Sequence, residues 1–163
     1  MQPIGEESAF PPSRWALHEE AASERGGGPV QLASLNVQTL DPREFRKNRR
    51  LGLGVTLRMA FIDEFLDKHH VLLAGLQEGR LPVAGLLDLP NYFAYTAPAT
   101  EDGQGGVQCW VHHSLRGSVV RAGCNPQSPR LLRLELSGGP LVATVLVAHA
   151  PVSSAELAAK TAF

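Results

Sequence analysis

The chain has 163 residues, of which 44% are hydrophobic and 19% are charged, and its formal net charge is −1. This balance is that of one globular domain, and it excludes a chain that attracts polyanions through total charge alone. No apolar run reaches the roughly 18–20 residues of a membrane span, and the first residues lack a secretory signal. We therefore expect an intracellular protein, in the nucleus or cytoplasm, without membrane association. Cys109 and Cys124 are too few for a disulfide scaffold, and reduced thiols are expected.

Residues 1–29 contain a Pro-Pro pair, a glycine-rich run that ends at Pro29, and no sustained hydrophobic periodicity. They are predicted to form a flexible leader. The folded domain is predicted to span residues 30–163. Its last predicted helix, Ala155–Phe163, follows a capping box and runs to the end of the sequence. Because a domain seldom stops inside a helix, this pattern indicates a truncated domain.

The first elements of the domain are a predicted strand over Val30–Val37 and a predicted helix over Val55–Lys68. The helix is expected to bury residues four apart together with two neighbours that broaden the same face, namely Leu57, Phe61, Phe65, Ile62 and Leu66. Asp63 and Glu64 are expected on the opposite face. The apolar spacing of this segment therefore predicts an amphipathic helix that lies on a sheet.

The remainder of the domain is predicted to be mostly strands. A continuous apolar run over Val71–Leu76 predicts a strand buried on both faces. A glycine turn is predicted at Gly103–Gly106 and a hairpin turn at Ser137–Pro140. The strands around these turns are predicted over Asn91–Thr96, Val107–His112, Arg130–Leu136 and Leu141–Ala148. This order predicts a mixed α/β (α+β) fold in which helices cover one side of a mixed sheet.

Three of the predicted strands end in polar residues that could form one site. Asn36, Glu78 and His149 each follow an apolar run, and the ends of neighbouring strands meet at one edge of a sheet. A carboxylate can hold Mg²⁺, an imidazole can transfer a proton, and an amide can orient a phosphate oxygen. Strand ends also meet solvent, so polar residues occur there without any function. The spacing alone leaves both interpretations open.

Four motifs in order resemble the endonuclease/exonuclease/phosphatase superfamily, in particular its deoxyribonuclease-like and retroelement-type members. They are the strand Leu32–Leu40 with its Asn, the Gln-Glu pair in Gly75–Arg80, the glycine turn and strand Gly103–His112, and the motif Ala148–Pro151. The resemblance implies a four-layer α/β sandwich, Mg²⁺ or Mn²⁺ as cofactor, and attack by water on a phosphoester. It also implies that Glu78 and Asn36 hold the metal and that His149 transfers a proton or stabilises charge.

The sequence departs from this family in its final motifs. An Asp-x-Asn pair and a closing Asp-His pair are expected after the last motif, and neither occurs before Phe163. We therefore expect weak or absent catalysis, a missing second sheet, and one apolar sheet face left uncovered. Such a chain would pair with a missing C-terminal half or self-associate. The alternatives are a non-catalytic remnant that binds nucleic acid or protein, and a phosphatase for small phosphoesters.

A basic stripe follows the Asn36 strand and could contact phosphates. Its cationic residues are Arg43, Arg46, Lys47, Arg49 and Arg50. Arg80 and Arg130 are further candidates for phosphate contact. Because a local basic stripe matters more for nucleic-acid binding than total charge, we expect nucleic acid as a partner. DNA is favoured over RNA by the resemblance to deoxyribonuclease-like members, and the residues themselves leave the two open. A solvated loop without function is the alternative for the stripe.

Overall fold

A computed structural model describes residues 30–40, 56–82, 84–101, 103–124, 128, 130–138 and 141–150. The leader over 1–29, the basic stripe and the helix Ala155–Phe163 lie outside these residues. The fold is mixed α/β and consists mostly of strands. Its elements are β1 (Gln31–Asn36), α1 (Leu57–Lys68), β2 (Val71–Gln77), β3 (Gly85–Asp88), β4 (Tyr92–Thr96), β5 (Gln108–His112), a 3₁₀ helix (His113–Ser118), β6 (Val119–Cys124), β7 (Leu131–Leu136) and β8 (Ala143–Ala148).

The first sheet has five strands in the order β1-β2-β5-β4-β3. β1 and β2 are parallel, whereas the other neighbours are antiparallel, so the sheet is mixed as predicted. Asn36 is level with Gln77 in the parallel pair, and the amide of Val37 continues the ladder to the Gln77 carbonyl at 3.0 Å. The carboxyl ends of β1 and β2 therefore lie side by side at one edge.

The second sheet has three antiparallel strands in the order β6-β7-β8. Alternate leucines of β7, at Leu132, Leu134 and Leu136, are buried in a core shared with residues of β2, β4 and β5. Alternation along a strand places such residues on one face, which here packs on the first sheet. The expectation of a missing second sheet is therefore wrong, and the second sheet covers the first over β2, β4 and β5, while Leu32 on β1 is 67% exposed. The predicted hairpin is present, but it belongs to a separate layer.

Helix α1 packs on the other face of the first sheet through a face that overlaps the predicted one only in part. The helix starts at the cap Thr56, whose hydroxyl accepts from the Met59 amide at 3.1 Å. Its buried residues are Met59, Asp63 and Leu66. Two residues of the predicted face, Leu66 and Ile62, pack on the core, but the other three are exposed, with fractions of 73% at Leu57, 69% at Phe61 and 47% at Phe65. The prediction of the buried face was therefore wrong for Leu57, Phe61 and Phe65 and for the buried Asp63, and the length of the helix was close.

A buried carboxylate lies on the side of α1 that faces the sheet. Asp63 is 1% exposed, and its two oxygens accept from the Asn91 amide at 3.2 Å and from Asn91 Nδ2 at 2.7 Å. These bonds hold the turn before β4, and a buried polar group without such partners would be costly. At the end of the helix, Asp67 Oδ1 lies 3.2 Å from His112 Nε2. Polar contacts therefore satisfy the carboxylates that this orientation of the helix turns towards the sheet.

The buried position of Asp63 predicts a pH effect on stability. Burial raises the pKa of its carboxyl above the ordinary value of 3.8, and the bonds from Asn91 oppose the rise. The folded state therefore keeps this proton to higher pH than the unfolded state. Stability from this group is present below the unfolded pKa and is lost as pH rises through the folded pKa. Denaturant titrations across this window should show the unfolding free energy of the wild type falling relative to Asp63→Asn as pH rises.

The control for this prediction is Glu64→Gln, which changes an exposed carboxyl on the same helix. Its unfolding free energy should follow the wild type at every pH. Parallel curves for the wild type and Asp63→Asn would contradict the assignment of the titration to Asp63.

Two short strands were not predicted. β3 pairs with β4 through a tight connection in which the Leu89 amide donates to the Tyr92 carbonyl at 2.9 Å. β6 has only one fully buried residue, Ala122, so its sequence carries little hydrophobic signal.

Gly105 and Gly106 have φ values of 72° and 75°, as a turn with positive φ requires. In the described part of the chain, no helix is both long enough and apolar enough to cross a membrane.

Candidate active site

Strand β8 of the second sheet lies over β2 of the first, and this crossing builds the site. A methyl group placed on Gly75 would meet both methyls of Val147 at 3.3 Å, so the two strands approach closely at this point. After β8, the His149 amide donates to the Arg130 carbonyl at 2.9 Å and extends the ladder with β7. The carboxyl end of β8 therefore lies over the carboxyl end of β2. We call the side chains gathered there the rim: Asn36, Glu78, Arg80, Arg130 and His149.

The structure brings Glu78 and His149 together at the rim. Glu78 Oε1 lies 3.4 Å from His149 Nε2, and the two side chains are 21% and 17% exposed. The other carboxylate oxygen, Oε2, accepts from Arg80 Nη2 at 2.9 Å. Each oxygen of the carboxylate therefore faces a basic side chain.

Arg130 fixes the orientation of the imidazole. Its Nη1 lies 3.2 Å from His149 Nδ1 and 3.4 Å from the Ala150 carbonyl oxygen. A guanidinium group can only donate, so His149 Nδ1 must accept in this contact. The neutral imidazole then carries its hydrogen on Nε2, which faces Glu78. The contacts therefore favour one tautomer and hold the ring from both sides.

Asn36 stands at the same edge but is engaged elsewhere. Its Oδ1 accepts from the amide of Gln38 at 3.0 Å, which closes a turn after β1. Among the described residues, no hydrogen bond joins Asn36 to Glu78 or His149. The neighbouring pair, Ser34 and Gln77, is joined by a bond of 3.1 Å between Gln77 Nε2 and Ser34 Oγ. The edge thus presents a row of polar side chains from two parallel strands.

The backbone is strained at this edge. Gln38, Glu78 and Arg80 have φ values of 55°, 56° and 55°, in the left-handed region that residues other than glycine seldom adopt. Such conformations cost on the order of 1–3 kcal/mol each and occur preferentially at functional sites. Two main-chain bonds support the turn that carries Glu78, from the amides of Gly79 and Arg80 to the carbonyls of Gly106 and Gly105. The glycine turn therefore holds the position of the carboxylate.

Gln108 lies beneath this turn and was missed in the sequence. It is 1% exposed, and its Oε1 accepts from Trp110 Nε1 at 2.7 Å. Its Nε2 has no hydrogen-bond partner among the described residues and lies 3.0 Å from the position of a methyl group on Gly79. A polar residue inside the apolar run Val107–Val111 was the available signal. Gln108 packs against the Glu78 turn, and a methyl group at position 79 would press on its side-chain amide.

The described residues contain no group of three or more His, Cys, Asp or Glu side chains placed to hold a metal ion. The rim has one carboxylate, Glu78, beside two guanidinium groups and an imidazole. Mg²⁺ commonly uses one or two carboxylates and takes its other ligands from water and phosphate. The rim fits a divalent cation in that way, with most ligands from outside the protein, and does not form a closed metal cage.

The remaining predicted residues have separate outcomes. Arg80 and Arg130 both belong to the rim, at Glu78 and His149 respectively. The basic stripe, Arg43, Arg46, Lys47, Arg49 and Arg50, lies outside the described residues, so its contact with phosphate stays a prediction. Cys109 is buried between the sheets, which raises the pKa of its thiol to about 12, and Cys124 is partly buried. Both thiols are unpaired.

A comparison with protein-family models and a comparison with curated proteins gave no match for this chain.

Proposed function

We propose that this chain is a nuclease-like, metal-dependent phosphodiester hydrolase domain, similar to the endonuclease/exonuclease/phosphatase superfamily and weakly active by itself. The observation that carries the proposal is the Glu78 carboxylate within 3.4 Å of the His149 imidazole, on a rim that also holds Arg80 and Arg130. The two packed sheets, with a helix on the outer face of the first, are compatible with the sandwich of that family.

Each group of the rim has a role that suits phosphoester cleavage. Glu78 would hold Mg²⁺ or Mn²⁺, which when bound neutralises charge on phosphoryl oxygens. His149 is held in one tautomer and can transfer a proton at Nε2. Arg80 and Arg130 present planar donors that match phosphate oxygens. The side-chain amide of Asn36 can orient a phosphate oxygen if the turn closed by its bond to Gln38 permits the approach.

The composition of the rim also accounts for weak activity. Efficient enzymes of this chemistry combine several charged groups around the reacting phosphate, and removing one member of such a set typically costs orders of magnitude. The described part of the rim contributes a single carboxylate. We propose double-stranded DNA as the first substrate class to test, because paired guanidinium groups suit a phosphate backbone.

The decisive experiment compares nicking of supercoiled plasmid by the wild type and by Glu78→Gln, with Mn²⁺ and with Mg²⁺. The wild type should show slow, metal-dependent nicking, and the substitution should lower it by about 10²-fold or more, since one electrostatic group at a transition state is worth about that much. Calorimetric titration with Mn²⁺ gives a second readout. Nicking or Mn²⁺ binding that persists unchanged in Glu78→Gln would contradict the proposal.

A matched control lies elsewhere in the chain. Arg133 Nη2 and Glu135 Oε1 form an ion pair of 2.7 Å on β7, with the same spacing of two residues as Glu78 and Arg80. Glu135→Gln removes a carboxylate of similar exposure from a similar pair, away from the rim. Its nicking rate and its Mn²⁺ binding should equal those of the wild type.

A non-catalytic nucleic-acid binder is the second candidate. The observation that favours it is the charge of the rim, where two guanidinium groups accompany one carboxylate. Such a rim attracts an anion without any metal. Metal-independent binding of duplex DNA that is lost in Arg130→Gln, together with no nicking in any metal, would support this candidate over the hydrolase.

A further inference from the structure

We propose that Arg80 couples cation and phosphate binding at the rim. It would shield Glu78 in the free protein and move to the phosphate when a divalent cation arrives. The inference rests on the proposed function, because it concerns the same carboxylate. It starts from the observation that both oxygens of Glu78 are engaged, Oε2 by Arg80 at 2.9 Å and Oε1 by His149 at 3.4 Å. A cation at Glu78 would therefore compete with these partners for the negative charge of the carboxylate.

Arg80 is the partner that can leave. His149 is held on its other side by Arg130, at 3.2 Å, and its amide is bound to the main chain of the same residue. The Arg80 side chain is 43% exposed, and its ion pair with Glu78 is the one contact recorded for its guanidinium among the described residues. A long, solvated side chain with one partner is freer to reorient than a ring held from two sides.

The main chain of Arg80 keeps its guanidinium near the rim after it leaves Glu78. The residue has a φ of 55°, and its amide donates to the Gly105 carbonyl at 3.1 Å. A methyl group on Gly106 would lie 3.2 Å from that same amide nitrogen, so the glycine turn closes tightly over it. The main chain of Arg80 therefore stays in place while its side chain reorients. A phosphate bound beside Glu78 would lie within its reach.

Charge decides the direction of the coupling. The rim holds one formal negative charge, on Glu78, and two permanent positive charges, on Arg80 and Arg130. A divalent cation alone adds positive charge to a site that already has an excess of it, and it also releases the Arg80 ion pair. A phosphodiester supplies a negative charge, oxygen ligands for the cation and a bidentate partner for Arg80. Cation and phosphate should therefore each strengthen the binding of the other.

The test measures Mn²⁺ affinity by calorimetry and by electron paramagnetic resonance of free Mn²⁺. Titrations are made with the full chain alone, with thymidylyl-thymidine, which has one phosphodiester, and with the uncharged methylphosphonate analogue of that dinucleotide. In the wild type, the phosphodiester should tighten Mn²⁺ binding by about fivefold or more, the lower end of typical coupling between sites. The methylphosphonate should change it by less than about twofold.

Arg80→Gln should alter both parts of this result. Mn²⁺ alone should bind about threefold or more tightly than to the wild type, because its competitor at Glu78 is gone, and the phosphodiester should then tighten binding by less than about twofold. Arg80→Gly provides a second variant, because glycine suits the left-handed conformation and removes the same guanidinium. Arg133→Gln, from the ion pair on β7, should behave as the wild type.

The outcomes separate this inference from the proposed function. If Mn²⁺ binding depends on Glu78 but Arg80→Gln and Arg80→Gly leave both the affinity and the coupling unchanged, Arg80 has no such role and the metal site stands. If either variant binds Mn²⁺ more weakly in the absence of phosphate, Arg80 supports the site and does not compete for it. If the wild type binds no Mn²⁺ in any titration, or binds it equally after Glu78→Gln, the proposed metal site itself is wrong.

Discussion

Replacing Met59 by alanine is expected to lower the free energy of unfolding by about 2–5 kcal/mol, the range for a fully buried long apolar side chain. Replacing Phe61 by alanine, two residues later on α1, is expected to change the free energy of unfolding by less than about 0.5 kcal/mol. Met59 is 0% exposed against the first sheet, whereas Phe61 is 69% exposed. Urea denaturation followed by circular dichroism measures both values under identical conditions.

This pair of variants tests the orientation of α1 directly. The spacing of Leu57, Phe61 and Phe65 predicts the opposite ranking, since phenylalanine has the larger apolar surface. Both positions are inside the helix, and alanine has the highest helix propensity, so propensity cannot explain a loss at Met59 alone. A larger loss at Phe61 than at Met59 would show that the helix packs through its other face.

Replacing Gly106 by alanine is expected to lower the free energy of unfolding by about 2–4 kcal/mol, from a left-handed conformation and overpacking together. The φ of this residue is 75°, and a methyl group would lie 3.2 Å from the Arg80 nitrogen and 3.3 Å from the Ala99 nitrogen. Both neighbours are main-chain atoms, and Arg80 belongs to the turn that carries Glu78, so that nitrogen cannot move aside without disturbing the turn. Thermal and urea denaturation measure the loss.

Gly103 provides the control for this substitution. Its φ is 77°, close to that of Gly106, but a methyl group there would meet no atom within 4 Å. Gly103→Ala therefore isolates the conformational cost, expected at about 1 kcal/mol, from the cost of the close contact. Equal losses in the two variants would show that the turn does not press on the Arg80 main chain.

The strands were largely predictable from the sequence because their signals are local. A continuous apolar run marked β2, which is buried on both faces, and alternating leucines marked β7. The hairpin of β7 and β8 was predicted, but its assignment to a second sheet was not, because layer membership depends on distant partners. β6 was not predicted because most of its residues are only partly buried or exposed, which leaves no clear alternation of apolar and polar residues.

The buried face of α1 was only partly predictable from periodicity. Leu66 and Ile62 pack on the core as predicted, whereas Met59 and Asp63 are buried in place of Leu57, Phe61 and Phe65, and the bonds from Asn91 satisfy the buried Asp63. Glu78 and His149 were singled out from strand ends and from resemblance, and the structure places them in contact. The contact of Glu78 with His149 depends on the crossing of β8 over β2, and spacing along one chain does not encode that crossing. The contact of Arg130 with His149 and the support from Gln108 depend on which strands are neighbours within a sheet. The pairing of Arg80 with Glu78 is local, because the two residues are two apart in the sequence.

Glu78 and His149 belong to different layers, and this has a consequence for folding. Either sheet could form its own hydrogen bonds first, but the pair exists only after the layers dock through contacts such as that of Gly75 with Val147. Binding competence should therefore appear in the last cooperative step of folding. A ligand held by both residues would selectively stabilise the docked state, by mass action, and would slow the separation of the layers.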